Sequence, residues 1–365
     1  MTAMHRLCGA LALIVVAHPA SAQDAQSIAD SIRQAASQMR VIVLEAAQAG
    51  RDAAQAARQQ ERQRREEARR GPEITESFSR TVRLGRDGTF SLENLSGDVS
   101  ITGRSGNDVR IDAVKRVRHP NATEARAILQ ALTVDVAERG GNVDVRTDYP
   151  RRRNWSGSID YTVTVPQNAN VTVKSYSGTL KVTNVNGELR AENMSGEIVT
   201  SGVRKIRLAK TMSGDVQISD SESDDLTAST YSGNLVIRNV KSRIVGLSSI
   251  SGDIRLTDVD TDTAALKTMS GNLQYLGRFS RNGRYEFQTY SGSVRITPVG
   301  APDFSLAAST FSGNVRSDFP LTIQGDALRN GLVRRQNRAI RGTFGNGGAM
   351  LTLQSFSGDI IIVKQ

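Results

Sequence analysis

Histidine is the side chain that most often supplies acid–base chemistry near neutral pH, and this sequence contains only three. His5 and His18 lie within the first 22 residues, which leaves His119 alone in the rest of the chain. A metal site that needs several histidines is therefore excluded by counting. His119 precedes Pro120, and we interpret it as a loop residue rather than as the base of a catalytic triad.

Carboxylates form two clusters, one at Asp224-Asp225 and one at Asp258, Asp260 and Asp262. Polysaccharide-cleaving β-helix enzymes use paired carboxylates, so a polysaccharide-active enzyme is one hypothesis. Both clusters fall in predicted turns, where solvated acids are expected. The chain also lacks the glycine motifs that bind nucleotide phosphates. We therefore predict a protein that is not an enzyme, with no catalytic residue and no cofactor.

Arginine clusters could bind anions, and the formal net charge of +10 favours anionic partners. The first cluster is Arg151, Arg152 and Arg153, which we predict as an anion contact. A second cluster comprises Arg334, Arg335, Arg338 and Arg341. For an exported protein the expected partners are anionic envelope lipid, lipopolysaccharide or polysaccharide, and not nucleic acid. An anion-binding surface module is thus a further alternative.

A nine-residue phrase recurs along the chain, as TMSGDVQIS from Thr211 and as TMSGNLQYL from Thr268. Its Ser-Gly pair returns every 18 to 21 residues, and a large, mostly apolar residue precedes each serine. The regular pairs are Ser177-Gly178, Ser195-Gly196, Ser213-Gly214, Ser232-Gly233, Ser251-Gly252, Ser270-Gly271, Ser291-Gly292 and Ser312-Gly313. Outlying copies occur at Ser96-Gly97 and Ser357-Gly358. Because glycine adopts positive φ without steric cost, each pair predicts a turn.

Aliphatic residues follow each turn at alternate positions, as at Leu235 and Ile254. A period of two indicates a strand with one buried face. A unit of about 19 residues cannot bury its own apolar face, so the units must stack at ~4.8 Å. The sequence therefore predicts an all-β fold, a β-solenoid or β-helix of about 18–21-residue rungs. The aliphatic columns form its core and the Ser-Gly pairs form its corner.

Aspartate follows the glycine in some copies, as at Asp215 and Asp253, and this raises the possibility of calcium. Calcium-binding β-rolls have a tighter repeat that is rich in Gly and Asp. Here the same position also holds Asn, Glu, Thr and Ser. Turn chemistry accounts for that mixture, so we predict no metal.

The N terminus predicts export. An apolar run from Leu7 to Ala17 leads to Ala20-Ser21-Ala22, a small-residue cleavage site, so residues 1–22 are interpreted as a signal peptide. Their removal takes away one counted charge, that of Arg6, and leaves a net charge of +9. Cys8 is the only cysteine and precedes the apolar run, so no disulfide is predicted. The expected location is the periplasm or the cell surface.

Three further segments are predicted. Residues 23–72 are rich in Ala, Gln, Arg and Glu and predict a long α-helix or linker, which could self-associate as a coiled coil, lie on a membrane surface or act as a spacer. Residues 73–165 form an N-terminal β region with a short helical insertion from Ala122. Residues 166–365 form the solenoid repeats and a closing motif, whose Gly-rich turn spans Gly342 to Gly348.

The phrases DYTVTVPQNANV, the serial SGD/SGN copies and the ending GTFGNGGAMLTLQSFSGDI resemble the bacterial β-strand-repeat "putative adhesin" family, a domain of unknown function. The resemblance covers about residues 73–364. It implies a β-solenoid exported to the cell envelope, and it supplies no catalytic residue. The leading hypothesis is a non-enzymatic envelope protein, either an adhesin or a scaffold associated with envelope stress.

Overall fold

A computed structural model describes residues 52, 54–61, 71–85, 88–150, 155–322 and 338–364. The chain divides into two units, Met1–Arg69 and Arg70–Gln365. In the first unit the described residues, 52 and 54–61, are helical. The predicted signal peptide and most of the predicted long helix lie outside the described residues. In the part of the chain that the structure describes, no helix has the length and apolar character needed to cross a membrane.

The second unit is all-β, as predicted, apart from one helix. Its first strands are β1 (Glu73–Arg83), β2 (Thr89–Ser96), β3 (Val99–Arg104), β4 (Asp108–Arg118), β5 (Thr133–Arg139), β6 (Asn142–Asp148) and β7 (Ser156–Pro166). Strands β1 and β7 flank β4 in antiparallel pairs, and β5 pairs with β6 in the same sense. The helix α1 (Ala122–Ala131) connects β4 to β5, and its N-cap Asn121 accepts the Thr123 N–H at 2.9 Å.

The remaining strands form the stacked rungs. They are β8 (Asn170–Ser177), β9 (Leu180–Thr183), β10 (Glu188–Ser195), β11 (Ile198–Ser201), β12 (Lys205–Ser213), β13 (Val216–Ser232), β14 (Leu235–Ser251), β15 (Ile254–Ser270), β16 (Leu273–Gly277), β17 (Arg284–Ser291), β18 (Val294–Pro298), β19 (Phe304–Ser312), β20 (Val315–Ser317), β21 (Ala339–Phe344), β22 (Ala349–Ser357) and β23 (Ile360–Ile362). Equivalent strands of neighbouring rungs pair in parallel. The architecture is solenoid-like.

Each full rung has three straight segments. In β14 the side chains alternate between core and solvent, but the alternation breaks at Asn239 and again near Ile244. Asn239 has a φ of 50°, a left-handed conformation that asparagine tolerates and that turns the chain. The third break is the Ser-Gly corner. A rung therefore encloses a narrow core with three walls.

The core is a set of aliphatic columns. Leu235 pairs with Ile254, and Ile254 pairs with Leu273, so these side chains lie above one another. All three are completely buried. Burying each of them contributes about 1.5–3 kcal/mol, and the next rung supplies the covering surface.

The two outlying Ser-Gly copies belong to the same column as the regular ones. Ser96 pairs with Ser177, so the first copy stacks directly on the second despite the intervening β3–β7 segment. At the other end, Ser357 lies between Ser291 and Ser312. The last copy in the chain is therefore inserted between two earlier ones. All ten copies form one continuous corner.

Candidate functional site

The Ser-Gly corner has room only for glycine. The ten corner glycines have φ between 118° and 155°. A Cβ on Gly252 would overlap the backbone carbonyl oxygen of Gly233, and a Cβ on Gly271 would overlap that of Gly252. The rungs can approach each other at this corner because the side chain is absent.

A buried ladder of polar side chains lies directly before the corner. The residue two positions before each serine points inward, and in several rungs it donates to the glycine carbonyl of the preceding rung. The Thr211 hydroxyl donates to Gly196 O at 3.1 Å, and the Thr268 hydroxyl donates to Gly252 O at 3.1 Å. The members are Asn94, Ser175, Asn193, Thr211, Thr230, Ser249, Thr268, Thr289, Thr310 and Ser355. These bonds satisfy carbonyls that the bend removes from the regular ladder.

A second polar ladder follows the corner. Asp215 Oδ1 accepts the Asn234 N–H at 2.7 Å, Asn234 Oδ1 accepts the Asp253 N–H at 3.0 Å, and Asp253 Oδ1 accepts the Asn272 N–H at 2.7 Å. Asp and Asn alternate over these four rungs. The alternation separates like charges that would otherwise stack at ~4.8 Å. The carboxylates after the glycine thus serve the backbone of the next rung, in agreement with turn chemistry.

Between the two polar ladders, an apolar column points to solvent. It consists of the residue before each corner serine, and we call it the apolar ridge. In spatial order its members are Leu95, Tyr176, Met194, Met212, Tyr231, Ile250, Met269, Tyr290, Phe356 and Phe311. They are 40% to 64% exposed. Ten of the twelve large apolar side chains that are exposed within the described residues lie on this ridge; the other two are Ile244 and Met350.

At one end, the ridge presents aromatic edges rather than aromatic faces. Tyr290 and Phe356 stack with ring centroids 4.6 Å apart and an interplanar angle of 2°. Phe356 and Phe311 stack at 4.8 Å and 8°. Since rings in consecutive rungs cover each other's faces, the ring edges point outward.

Charged columns flank the ridge on both sides. The column two residues before the ridge residues carries charges of both signs and lines open grooves at the two ends of the ridge; its charged members are Glu93, Lys174, Glu192, Lys210 and Lys267. These grooves have volumes of about 560 and 730 Å³. On the other side, three positions after the ridge residues, five carboxylates form an acidic column: Asp98, Glu197, Asp215, Asp253 and Asp359.

The predicted anion contact Arg151, Arg152 and Arg153 lies outside the described residues, as do Arg334 and Arg335 of the second cluster. Arg341 lies on β21, which pairs with β19. His119 lies just before α1, where its Nδ1 accepts the Asn121 N–H at 3.1 Å and its Nε2 lies 3.2 Å from Glu124. This is the loop position that the sequence indicated.

The acidic clusters lie at the surface of the rungs: Asp224, Asp258, Asp260 and Asp262 are exposed, and Asp225 is half-buried. Asp225 forms ion pairs with Arg243 at 2.9 Å and with Arg207 at 3.4 Å, and Asp262 accepts the Ser280 hydroxyl. No carboxylate is buried among the described residues. The same residues contain no cluster of three or more metal-ligating side chains.

The apolar residue before each serine is apparent in the sequence, but its exposure was not predicted. The exposure could have been predicted from which positions of each strand alternate into the core. Leu226, Ala228 and Thr230 share one face of β13, so Tyr231 must lie on the other face. Counting in twos from the preceding core residues would have placed each ridge residue in solvent.

These observations define a solenoid-like β protein that carries its polar ladders and an apolar ridge at one corner. The chain belongs to the Toastrack DUF4097 family, whose model matches residues 81–363. The predicted family membership is confirmed. A comparison with curated proteins found no match.

Several solved structures are similar to this chain at low identity. A "putative adhesin" from Bacteroides fragilis has 13% identity and a TM-score of 0.39, with 79% of this chain and 97% of that chain covered. A "putative lipid binding protein" from Parabacteroides distasonis has 9% identity and a TM-score of 0.36, with 79% and 96% covered. A "putative cell adhesion protein" from Clostridium sporogenes has 9% identity and a TM-score of 0.27, with 80% and 100% covered.

Proposed function

We propose that this protein is a non-enzymatic scaffold of the cell envelope, an adhesin or envelope-stress-associated protein, which binds its partners through the apolar ridge. The observation that carries the proposal is the exposure of ten large apolar side chains in one continuous column. Contiguous exposed apolar surface marks interaction sites, whereas scattered exposed apolar residues do not.

The rungs make the ridge suitable for extended contact. Ten rungs at ~4.8 Å give a ridge roughly 43 Å long. From Met212 to Tyr290 the ridge residues lie between two hydrogen-bonded polar ladders, which hold the backbone in place. A preorganised surface loses little conformational entropy on binding.

The proposed location follows from the first 22 residues. Their apolar run and small-residue cleavage site support export to the periplasm or the cell surface. We further propose that Arg151, Arg152 and Arg153 attract anionic lipid, lipopolysaccharide or polysaccharide, since the net charge is positive.

The experiment is co-sedimentation with envelope fractions. The ridge variant is Met212→Glu with Met269→Glu, and the matched control is Met350→Glu, because Met350 is 52% exposed and lies outside the ridge. We expect the ridge variant to bind at least tenfold more weakly, while the control binds like the wild type. Equal binding of all three proteins would overturn the proposal. A fourth sample that lacks residues 24–70 shows whether that segment contributes.

The arginine contact has its own test. Binding to anionic lipid vesicles and to lipopolysaccharide is measured across a salt series, because exposed charges are screened beyond about 8 Å at physiological salt. We expect binding that weakens as salt rises and that falls when Arg151, Arg152 and Arg153 are replaced together by Ala. Wild-type protein that stays in the supernatant at low salt would refute this contact.

A further inference from the structure

We propose that strand β1 pairs edge to edge with β1 of a second copy of this chain, antiparallel and centred on Phe78, so that the two β stacks join end to end. The proposal goes beyond the proposed function, because it concerns a surface other than the apolar ridge. Three properties of β1 support it: its open edge, its position in the fold and the order of its residues.

Strand β1 is an edge strand of eleven residues, Glu73–Arg83. Among the described residues it pairs on one side only, with β4, and none of its backbone groups bonds to backbone outside that ladder. Such an edge presents a row of unpaired N–H and C=O groups, which is a template for a strand of another chain. A second β1 would satisfy these groups along roughly 37 Å.

The open edge lies at the end of the stack. One wall continues from β3 through β7 and β4 to β1. The facing wall continues from β2 through β6 only as far as β5, so β1 extends one strand further. The helix α1 packs against β4 as well as β1, which places it on their shared face. A second copy can therefore approach the edge of β1 along the stack.

The residues of β1 are complementary to the same residues read in the reverse direction. With Phe78 opposite itself, the facing pairs are Glu73 with Arg83, Ile74 with Val82, Thr75 with Thr81, Glu76 with Arg80, and Ser77 with Ser79. Opposite charges, apolar pairs and hydroxyl pairs stabilise an antiparallel ladder when they lie directly across from each other. Every position of β1 thus finds a suitable partner in a second copy.

Other arrangements of two β1 strands lose this match. A parallel pair in register places Glu76 against Glu76 and Arg80 against Arg80, and like charges directly opposite each other destabilise a ladder. An antiparallel pair whose centre moves by one residue places Phe78 opposite Glu76 or opposite Arg80. The order of the residues therefore favours one direction and one register.

The charged side chains of β1 keep surface for a second partner. Their ion pairs within the chain are Glu73 with Arg118, Glu76 with Lys115, Arg80 with Glu138, and Arg83 with Asp108. The four side chains on β1 nevertheless remain 35% to 84% exposed. Ile74 and Phe78 are only partly buried against the core, so a second copy would cover more of their apolar surface.

Cysteine cross-linking tests the register in the full chain with Cys8→Ser, which removes the only native cysteine. Ser77→Cys and Ser79→Cys, both at exposed positions, are prepared with tags of different length, mixed and oxidised. Directly opposite residues have Cα atoms about 4.5–5.5 Å apart, which a disulfide spans. We expect the mixed link at least fivefold above the link of either variant with itself. Links in the proportions of random collision, or no link, would overturn the register.

A charge swap tests the ion pairs. Glu73→Arg faces Arg83 of the second copy, and we expect it to raise the dissociation constant of the dimer at least tenfold in sedimentation equilibrium. Adding Arg83→Glu restores opposite charges, and we expect a constant within threefold of the wild type. The control Asp135→Arg makes the same change at an exposed position of β5 and should bind like the wild type.

Circular dichroism verifies that each of these variants is folded. A dimer that Glu73→Arg leaves intact would overturn the β1 pair. A swap that does not restore the dimer, or a control that weakens it equally, would contradict the ion pairs and overturn the proposal as well.

Light scattering of the wild-type protein and of the ridge variant Met212→Glu, Met269→Glu separates this proposal from the proposed function. We expect both proteins to be dimers, because the two ridge methionines lie outside β1. A monomeric wild type would overturn the β1 pair and leave the binding role of the ridge intact. A dimer that only the ridge variant dissociates would assign the contact to the ridge and overturn the β1 pair.

Discussion

At the scale of single residues, position within a column decides what a side chain does. Thr200 illustrates this, because it stacks between Val182 and Ile218 in an aliphatic column. It is completely buried, and its hydroxyl has no hydrogen-bond partner among the described residues. A buried unpaired hydroxyl loses its hydration without compensation. Thr200 is thus a weak point of the core.

We predict that Thr200→Val raises the free energy of unfolding by about 1 kcal/mol, because valine has the same shape and no polar group to desolvate. The matched control is Thr211→Val, which removes the hydroxyl that donates to Gly196 O at 3.1 Å. The control should lower the free energy by about 1 kcal/mol. Urea denaturation measures both changes, and a destabilising Thr200→Val would contradict this explanation.

At the scale of the elements, the strands and the Ser-Gly corner could be predicted because alternation and the Ser-Gly pair repeat in every rung. The position of β22 and β23 could not. Their Ser357-Gly358 copy follows a long interruption in the sequence, and only the parallel pairing of β22 with both β17 and β19 places it inside the stack. Local patterns specify a rung, whereas the order of rungs depends on contacts between distant segments.

The ridge and the polar ladders differ in how far the sequence alone predicts them. The exposure of the ridge could be predicted from the alternation in each strand, because the residue directly before each ridge residue lies on the buried face. The sequence shows that Asp and Asn alternate after the glycine. The role of this alternation became clear only from the hydrogen bonds between the rungs. The two polar ladders are therefore properties of the stack rather than of one repeat.

The corner makes an element-scale prediction. Gly252→Ala should lower the free energy of unfolding by about 3 kcal/mol, because positive φ costs an L-residue roughly 1–2 kcal/mol and overpacking adds about 1–3 kcal/mol. The control is Gly106→Ala, where φ is +133° but nothing lies within 4 Å of the added Cβ. The control should lower the free energy of unfolding by only about 1–2 kcal/mol. Equal effects in urea denaturation would show that the rungs are not in close contact at the corner.

At the scale of the whole molecule, buried tyrosines make the free energy of unfolding depend on pH in the alkaline range. Burial raises the pKa of Tyr149 to about 12 and that of Tyr161 to about 12. It also raises the pKa of Tyr275 and of Tyr285. The Tyr161 hydroxyl lies 2.8 Å from Thr147 Oγ1, and the Tyr149 hydroxyl donates to Ser96 O at 2.9 Å.

The sign of the pH effect follows from these shifts. Below pH 10 the tyrosines are protonated in both states, so stability is fully present. Between about pH 10 and pH 12 the unfolded chain loses protons that the folded chain keeps, so stability falls. For Tyr161, which is fully buried and whose pKa rises from 10.0 to about 12, the loss is about 2–3 kcal/mol. We expect Tyr161→Phe to reduce the slope of stability against pH by roughly one proton, measured by urea unfolding from pH 8 to 12. An unchanged slope would contradict the buried titration of Tyr161.

The central claim is that the apolar ridge is covered when the protein is in its envelope, and methionine oxidation tests it most directly. Met194, Met212 and Met269 lie on the ridge and are 40%, 53% and 60% exposed, while Met350 lies elsewhere and is 52% exposed. Envelope fractions are treated with mild peroxide, sulfoxides are quantified peptide by peptide, and each rate is divided by that of the urea-unfolded protein. We predict that the three ridge methionines oxidise at least fivefold more slowly than Met350. Four equal normalised rates would contradict the claim.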